Sequence, residues 1–453
     1  VLPGPFFSCI QDFEMAPRIV PVETDTALPS AADVVIIGGG IIGISTAMFL
    51  AEQGLRVVVC EKGVVAGEQS SRNAGWVRQQ GRDPREVALS MVSLELWRGI
   101  DTRVGGDTGF RQCGSLYGFR TEAELSRYDA WVAKAKALGL ESQVLDRAGV
   151  AAIAPGLERD YPIGLYTETD GRAEPQKAVP AITAYARRLG VTVLENCAVR
   201  AVEKTGRAVS GVVTERGRIA APKVVLAGGA WSSLFCRSLG LRLPQLKVIV
   251  SMQRTEALAN GPDAAIWVPG ICSRRRDDGG YTIENGGKYV ADIVPDSFRF
   301  LLDYLPTIRR ESKAMSLRFG RRFFKELGYL WPWGADGISP FEKERILDPV
   351  PDPAVMAAVP RLMAEQMPVF SGLAIAEQWG GCVDVTPDAI PVISPVVQVP
   401  GFFLSTGYSG HGFGLGLGAG RLTADLVSGR APVVDPHDFR FSRFSEKGGV
   451  HLE

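Results

Sequence analysis

The chain has 453 residues, 46% hydrophobic and 22% charged, with 50 Lys+Arg balancing 50 Asp+Glu. Its length exceeds one simple core and predicts two packed domains, while the charge balance gives no sign of a nucleic acid or other polyanion as partner. The seven cysteines form no CxxC pair and the histidines are only His411, His437 and His451, so neither a disulfide framework nor a metal site is predicted.

Residues 1–30 lack the basic segment, apolar run and small-residue cleavage site of a secretory signal, and are expected to form an arm. No run reaches the ~18 apolar residues of a membrane span. With the scattered cysteines, this predicts a cytoplasmic protein.

From Asp33, a β-branched apolar run meets Gly38-Gly39-Gly40, and apolar residues at helical spacing continue to Gln53 before Gly54. This predicts strand, tight turn and helix. Gly38, Gly40 and Gly43 fit GxGxxG, in which the glycines permit the turn, the approach of a pyrophosphate and close helix–strand packing. A helix N-terminus suits phosphate because its free N–H groups and dipole favour negative charge. A second strand ends at Glu61, 23 residues after Gly38, the reach of an acid that grips a ribose hydroxyl.

The polar stretch Gly67–Arg82, GEQSSRNAGWVRQQGR, reads as a loop along a large ligand rather than a third strand. KVVLAGGAWS (Lys223–Ser232) reads as a buried strand ending in glycines, and GYSGHGFGLGLGAG (Gly407–Gly420) leads into a helical pattern. Three distant regions thus return to one nucleotide site, which suits an elongated, buried flavin dinucleotide.

On these motifs the chain, from Asp33 to about Arg430, resembles the FAD-dependent amine oxidoreductases of the glycine oxidase, sarcosine oxidase and D-amino-acid oxidase type. The resemblance implies an α/β (α+β overall) fold, with a Rossmann-like FAD-binding domain and a second, strand-rich substrate-binding domain. It implies that Gly38, Gly40, Ile41, Ile42 and Gly43 meet the pyrophosphate, and that Glu61 and Lys62 lie at the adenosine. It places Ser70, Ser71, Arg72, Asn73, Ala74 and Gly75 along the flavin, Val199 at the adenine, and Gly228, Gly229, Trp231, Gly410, His411, Gly412 and Phe413 around the rest. For substrate, Arg78 and Arg276 are the expected carboxylate ligands, with His411 and Tyr408 beside them; Arg suits this task as a planar, always-charged donor. His411 ordinarily titrates near neutrality and is expected to give turnover a pH dependence.

Three departures from the family pattern qualify this. Where glycine-oxidase-like members carry a substrate-binding arginine, Trp379–Asp388 offers Val383 or Asp384. Cys382 falls one residue off the position of a covalent flavin link, so noncovalent FAD is expected. Gly414 stands where relatives can have lysine, leaving no oxygen-activating residue to name.

The division expected is a cofactor domain of 31–109, 156–242 and 371–440, a substrate domain of 110–155 and 243–370, and a tail of 441–453. SRRRDDGGYTIENG (Ser273–Gly286) reads as a hairpin. Residues 298–325, arginines interleaved with apolar residues, read as a surface helix with its aromatics in the core; docking to a membrane or partner subunit is the less favoured reading. The activity expected is oxidation of the C–N bond of a small amino acid or N-substituted glycine, of the sarcosine, glycine or iminodiacetate type, with O2 as acceptor. The alternatives are a dehydrogenase component feeding a quinone or partner protein, and a non-catalytic flavin-binding module.

Overall fold

The computed structural model describes residues 16–312 and 314–446; the expectations at Cys9, His451, residues 1–15 and the tail beyond 446 lie outside them. Its centre is a six-stranded sheet in the order Val392–Pro395, Phe402–Thr406, Val224–Leu226, Val34–Ile37, Val57–Cys60, Thr192–Leu194, parallel except for the antiparallel Val392–Pro395 edge. Strand periodicity sets its two faces. Val34 and Ile36 pack with the helices on one side, while Val35, Val58 and Val224 pack on the other with the meander Val199–Ala220.

Helix Ile41–Glu52 lies against helix Gly412–Ser428, which starts inside the glycine run that the sequence has leading into a helical pattern. Packing overrides the weak helix propensity of glycine there. A side chain at Gly420 would press on the Thr46 backbone, and one at Gly414 would lie 2.8 Å from the Trp76 carbonyl oxygen, so small residues let three segments meet.

The second layer is a ten-stranded sheet. It runs from Met315–Arg318 through Tyr289–Asp292, Leu246–Thr255, Tyr281–Glu284, Ile271–Arg275, Ala265–Val268, Ser115–Phe119 and Ile163–Thr167 to Gln143–Leu145, with Ile375–Val385 beside Leu246–Thr255. Helix Pro353–Gln366 packs Val359 and Met363 against Ile266, Ile271, Tyr281 and Ile283 on one face. The other face turns toward the cofactor layer.

Two strands cross the division expected from sequence. Ile163–Thr167 pairs with Ser115–Phe119, and Ile375–Val385 pairs along ten positions with Leu246–Thr255, so both belong to the larger sheet. Long-range backbone pairing decides membership here, and no local pattern announces it.

Residues 298–325 are not one helix. They fold as helices Pro295–Arg299 and Leu301–Glu311, strand Met315–Arg318 and the start of helix Arg321–Gly328. The aromatics also divide: Phe300 and Tyr304 are buried, but Phe298, Phe319, Phe324 and Trp331 are exposed, as is Leu302 at 84%. No helix among the described residues is long and apolar enough to cross a membrane.

Candidate active site

The end of strand Val34–Ile37 opens into a long groove. Gly38 adopts φ +113°, a region that favours glycine, and a side chain at Gly43 would strike the Gly38 carbonyl, so the turn holds helix and strand together. At the helix start Gly40 has no side-chain cap, the Gly39 N–H donates to Glu61 at 2.7 Å, and the Ile41 N–H donates to Ser70 Oγ at 2.9 Å. Glu61 also accepts from the Gly63 N–H at 2.7 Å; burial, the largest influence, raises its pKa, opposed by Lys62 and these bonds.

Gly38, Gly40, Ile41, Ile42, Glu61, Lys62, Ser70, Asn73 and Val199 line this groove, and Gly228, Gly229, Trp231, Tyr408, Gly410, Gly412 and Phe413 continue it. Lys62 sits 4.7 Å over the Trp231 ring and pairs with Glu68 at 2.8 Å, and Trp231 Nε1 donates to Glu68 at 3.0 Å. Sequence reading missed Glu68 and Arg345 in the lining, and Asp384, named only as standing where relatives carry an arginine, joins them there. Asp384 accepts from the Gly407 N–H at 2.8 Å and from Gln245 at 2.9 Å, and burial raises its pKa.

The groove runs into a cavity of about 700 Å³ between the two layers, sharing Gln69, Asn73, Gly410 and Phe413 with it. Its walls are largely apolar: Val248, Val250, Met252, Ala291, Leu301, Ile308, Met315, Leu317, Val383 and Val385. Ala74, Gly75, Trp76, Arg78, Arg82 and His411 line it as well. Gln69 Oε1 and Trp76 Nε1 are buried here without a hydrogen-bond partner. These two polar atoms are available to a ligand in the cavity, and the glycine cradle fits a pyrophosphate.

The expected substrate residues separate. Arg78 reaches the cavity, donating to the Gln80 carbonyl at 2.6 Å and to the Tyr117 hydroxyl, with its guanidinium 5.3 Å over Trp76. Arg276 does not line it. It is tied to Asp278 at 3.3 Å and Glu174 at 3.5 Å, because Arg274 and Arg276 lie on the side of the hairpin that faces Glu174. Tyr408 lines the groove, with its hydroxyl held by Ser405 at 2.8 Å, and is not over the cavity. Ser71 and Arg72 turn away from the groove; Arg72 is 2% exposed and bonds Asp348 at 2.6 Å and the Gly380 carbonyl at 3.0 Å, tying the layers together. Gly43 packs helix on strand rather than lining the groove.

His411 is at the cavity wall, 3.0 Å from Glu86, which is fully buried. Burial chiefly, then Arg82, lower its pKa, against the opposing pull of Glu86. Its titration therefore moves down from the ordinary imidazole value on which the sequence expectation rested. Arg82 was missed: it is 3% exposed, its Nη1 has no hydrogen-bond partner, and burial brings its pKa down to about 9, with the neighbouring Arg78 adding to the effect. Position four residues after Arg78 in the loop already quoted was the available signal.

Comparison with known proteins agrees with this geometry. The model of the FAD dependent oxidoreductase family, DAO, matches residues 33–426. Mouse mitochondrial sarcosine dehydrogenase is 26% identical over 97% of this chain, which spans only 44% of that relative's length. The solved structure titled L-amino acid deaminase from Proteus myxofaciens in complex with anthranilate is 34% identical, with TM-score 0.92, covering 96% of this chain and 98% of that one. L-amino acid deaminase from Proteus vulgaris is 32% identical, with TM-score 0.89, covering 94% and 100%.

Proposed function

The chain belongs to the DAO family of FAD-dependent oxidoreductases, and from that premise we propose that it oxidatively deaminates a free L-amino acid with a bulky, largely apolar side chain. The family makes it an oxidoreductase of amino acids or amines with FAD as cofactor.

The observation that carries the finer reading is the cavity of about 700 Å³ with its apolar walls. A glycine or sarcosine molecule would leave most of it to water, whereas an aromatic or branched side chain would bury apolar surface along Val250, Met252 and Leu317. The reading therefore departs from the small N-substituted glycines expected from sequence. Similarity to the two L-amino acid deaminases supports a free amino acid of L configuration.

When bound, FAD supplies the acceptor for the hydrogen and electron pair leaving the substrate α-carbon. In this reading Gly38, Gly40, Ile41, Ile42, Glu61, Lys62, Ser70 and Asn73 hold it, with Val199, Gly228, Gly229, Trp231, Gly410, Gly412 and Phe413. The Cys382 thiol, pushed up to about 12 chiefly by burial, stays protonated, which supports noncovalent attachment. Arg78 and Arg82 hold the substrate carboxylate, neutral His411 shapes the wall under the hold of Glu86, and the apolar walls keep water from the reacting carbon. A cytoplasmic setting goes with this reading, supported by the free thiols of the described cysteines.

The test is oxo-acid formation, trapped as a hydrazone, from a panel of L- and D-amino acids, glycine, sarcosine and iminodiacetate. Turnover of L-phenylalanine or L-leucine well above glycine and sarcosine is expected; the reverse order would overturn the reading.

O2 is the proposed acceptor. A second reading, delivery of electrons to a quinone or partner protein, is favoured by an exposed aromatic cluster, Phe298, Phe319 and Phe324 around Phe323, of which Phe298 lines the cavity. Peroxide formed in equal amount to oxo acid supports O2; oxo acid that forms only with an added quinone supports the second.

A further inference from the structure

The large sheet carries one row of side chains straight across four strands above the cavity. Met252 is opposite Glu284, Glu284 opposite Cys272, and Cys272 opposite Trp267. All four line the cavity. The next residue along, Tyr117 on the neighbouring strand, is opposite Trp267 and bonds Arg78 through its hydroxyl.

Glu284 is the one charged member of that row. Most other charged side chains lining the cavity are already paired: Lys247 with Glu326 at 2.7 Å, Asp292 with Arg318 at 2.6 Å, Arg310 with Glu311 at 3.2 Å. Among the described residues Glu284, Arg78 and Arg82 make no ion pair, and Arg82 Nη1 lacks any hydrogen-bond partner. Burial, the largest influence, raises the Glu284 pKa, and only the Cys272 thiol and the nearby Arg78 oppose it. Leaving a carboxylate and two guanidinium groups unpaired around one cavity is costly unless a ligand completes them.

The missing partner must carry both signs of charge. We propose that Glu284 receives the α-ammonium group of the substrate, facing the arginine pair that receives its carboxylate. The assignment rests on the amino-acid reading above and deepens it: two cations and one anion around a single space match the ends of a zwitterion. It predicts selection of amino acids over simple carboxylic acids, which leave Glu284 unpartnered.

The experiment uses the FAD-loaded protein and ligands that cannot be oxidised, titrated by the change in the visible flavin spectrum. α-Methylphenylalanine carries both charges but no α-hydrogen; 3-phenylpropionate carries only the carboxylate. Wild-type protein is expected to bind the first at least ~10-fold more tightly, the size of one charge-assisted hydrogen bond. In Glu284→Gln that preference is expected to vanish, with 3-phenylpropionate binding unchanged. Equal binding of the two ligands by wild type overturns the proposal whether or not the variant folds, as does a preference that survives in Glu284→Gln. Failure of the amino-acid reading looks different: no amino acid is turned over by wild type, whatever the two ligands do.

Discussion

The cofactor groove and the substrate cavity share a wall at Asn73, Gly410 and Phe413, yet they are built in opposite ways. The groove is organised around a backbone turn. Its shape there comes from glycines and a helix start whose Gly39 and Ile41 N–H groups are held by Glu61 and Ser70, so it tolerates little change. The cavity is made of side chains on a broad sheet, with Val248, Val250, Val383 and Val385 setting its width and a few charges its polarity. Such a wall is open to retuning by single substitutions, which is how one fold comes to serve different amines.

That contrast is broken most directly in the groove. Gly43→Val drives a side chain into the Gly38 carbonyl and Ile36, and should abolish FAD retention through purification. The flavin-to-protein absorbance ratio reads this, and a ratio equal to wild type would show that the turn is not what holds the cofactor.

Next in size is the joint between the two regions. Arg274 on the large sheet pairs with Glu174 at 2.6 Å, and their side chains are 0% and 3% exposed. Arg274→Met leaves Glu174 buried without its main partner, and should lower stability by about 3–5 kcal/mol. Denaturant unfolding measures it; a loss below about 1 kcal/mol, the range of surface pairs, would contradict the role assigned.

On the cavity side, Val250→Phe should reduce kcat/KM for L-phenylalanine by about 10- to 100-fold, with FAD binding untouched. Steady-state kinetics on a large and a small amino acid separates narrowing of the wall from a general loss of activity.

The smallest effect is expected at an ion pair beside the groove, where Glu342 and Arg200 adjoin Phe341 and Val199 of its lining. Arg200 at 2.8 Å and the Ser339 N–H and hydroxyl hold the Glu342 carboxyl down to about 2, against the raising effect of burial. A lowered folded-state value means that the stabilisation is complete above the ordinary value of 4.5 and fades as pH falls toward about 2. Glu342→Gln should therefore lower the denaturation midpoint at pH 7 and leave it near wild type at the acid end of that window.

The same contrast explains what sequence could tell. Strand, glycine turn, helix and the acid at Glu61 are consecutive, so the groove is legible in one stretch of chain. The cavity draws on Arg78, Met252, Glu284 and Val383, joined only by strand register. Arg276 looked like a ligand because nothing nearby in sequence revealed Glu174, about a hundred residues earlier, as its partner. Tyr408 is in the right motif, but its ring points into the groove and its hydroxyl is bound to Ser405. Glu284 gave one faint signal, a lone acid ending an otherwise apolar strand, which becomes informative only when its neighbours Met252 and Cys272 are known.

The most direct test is anaerobic addition of L-phenylalanine, L-leucine, glycine and sarcosine to the FAD-loaded protein while the visible flavin bands are recorded. Bleaching by the bulky L-amino acids, faster than by glycine or sarcosine, is the predicted result. Bleaching by glycine or sarcosine alone, or by no amine at all, would contradict the account.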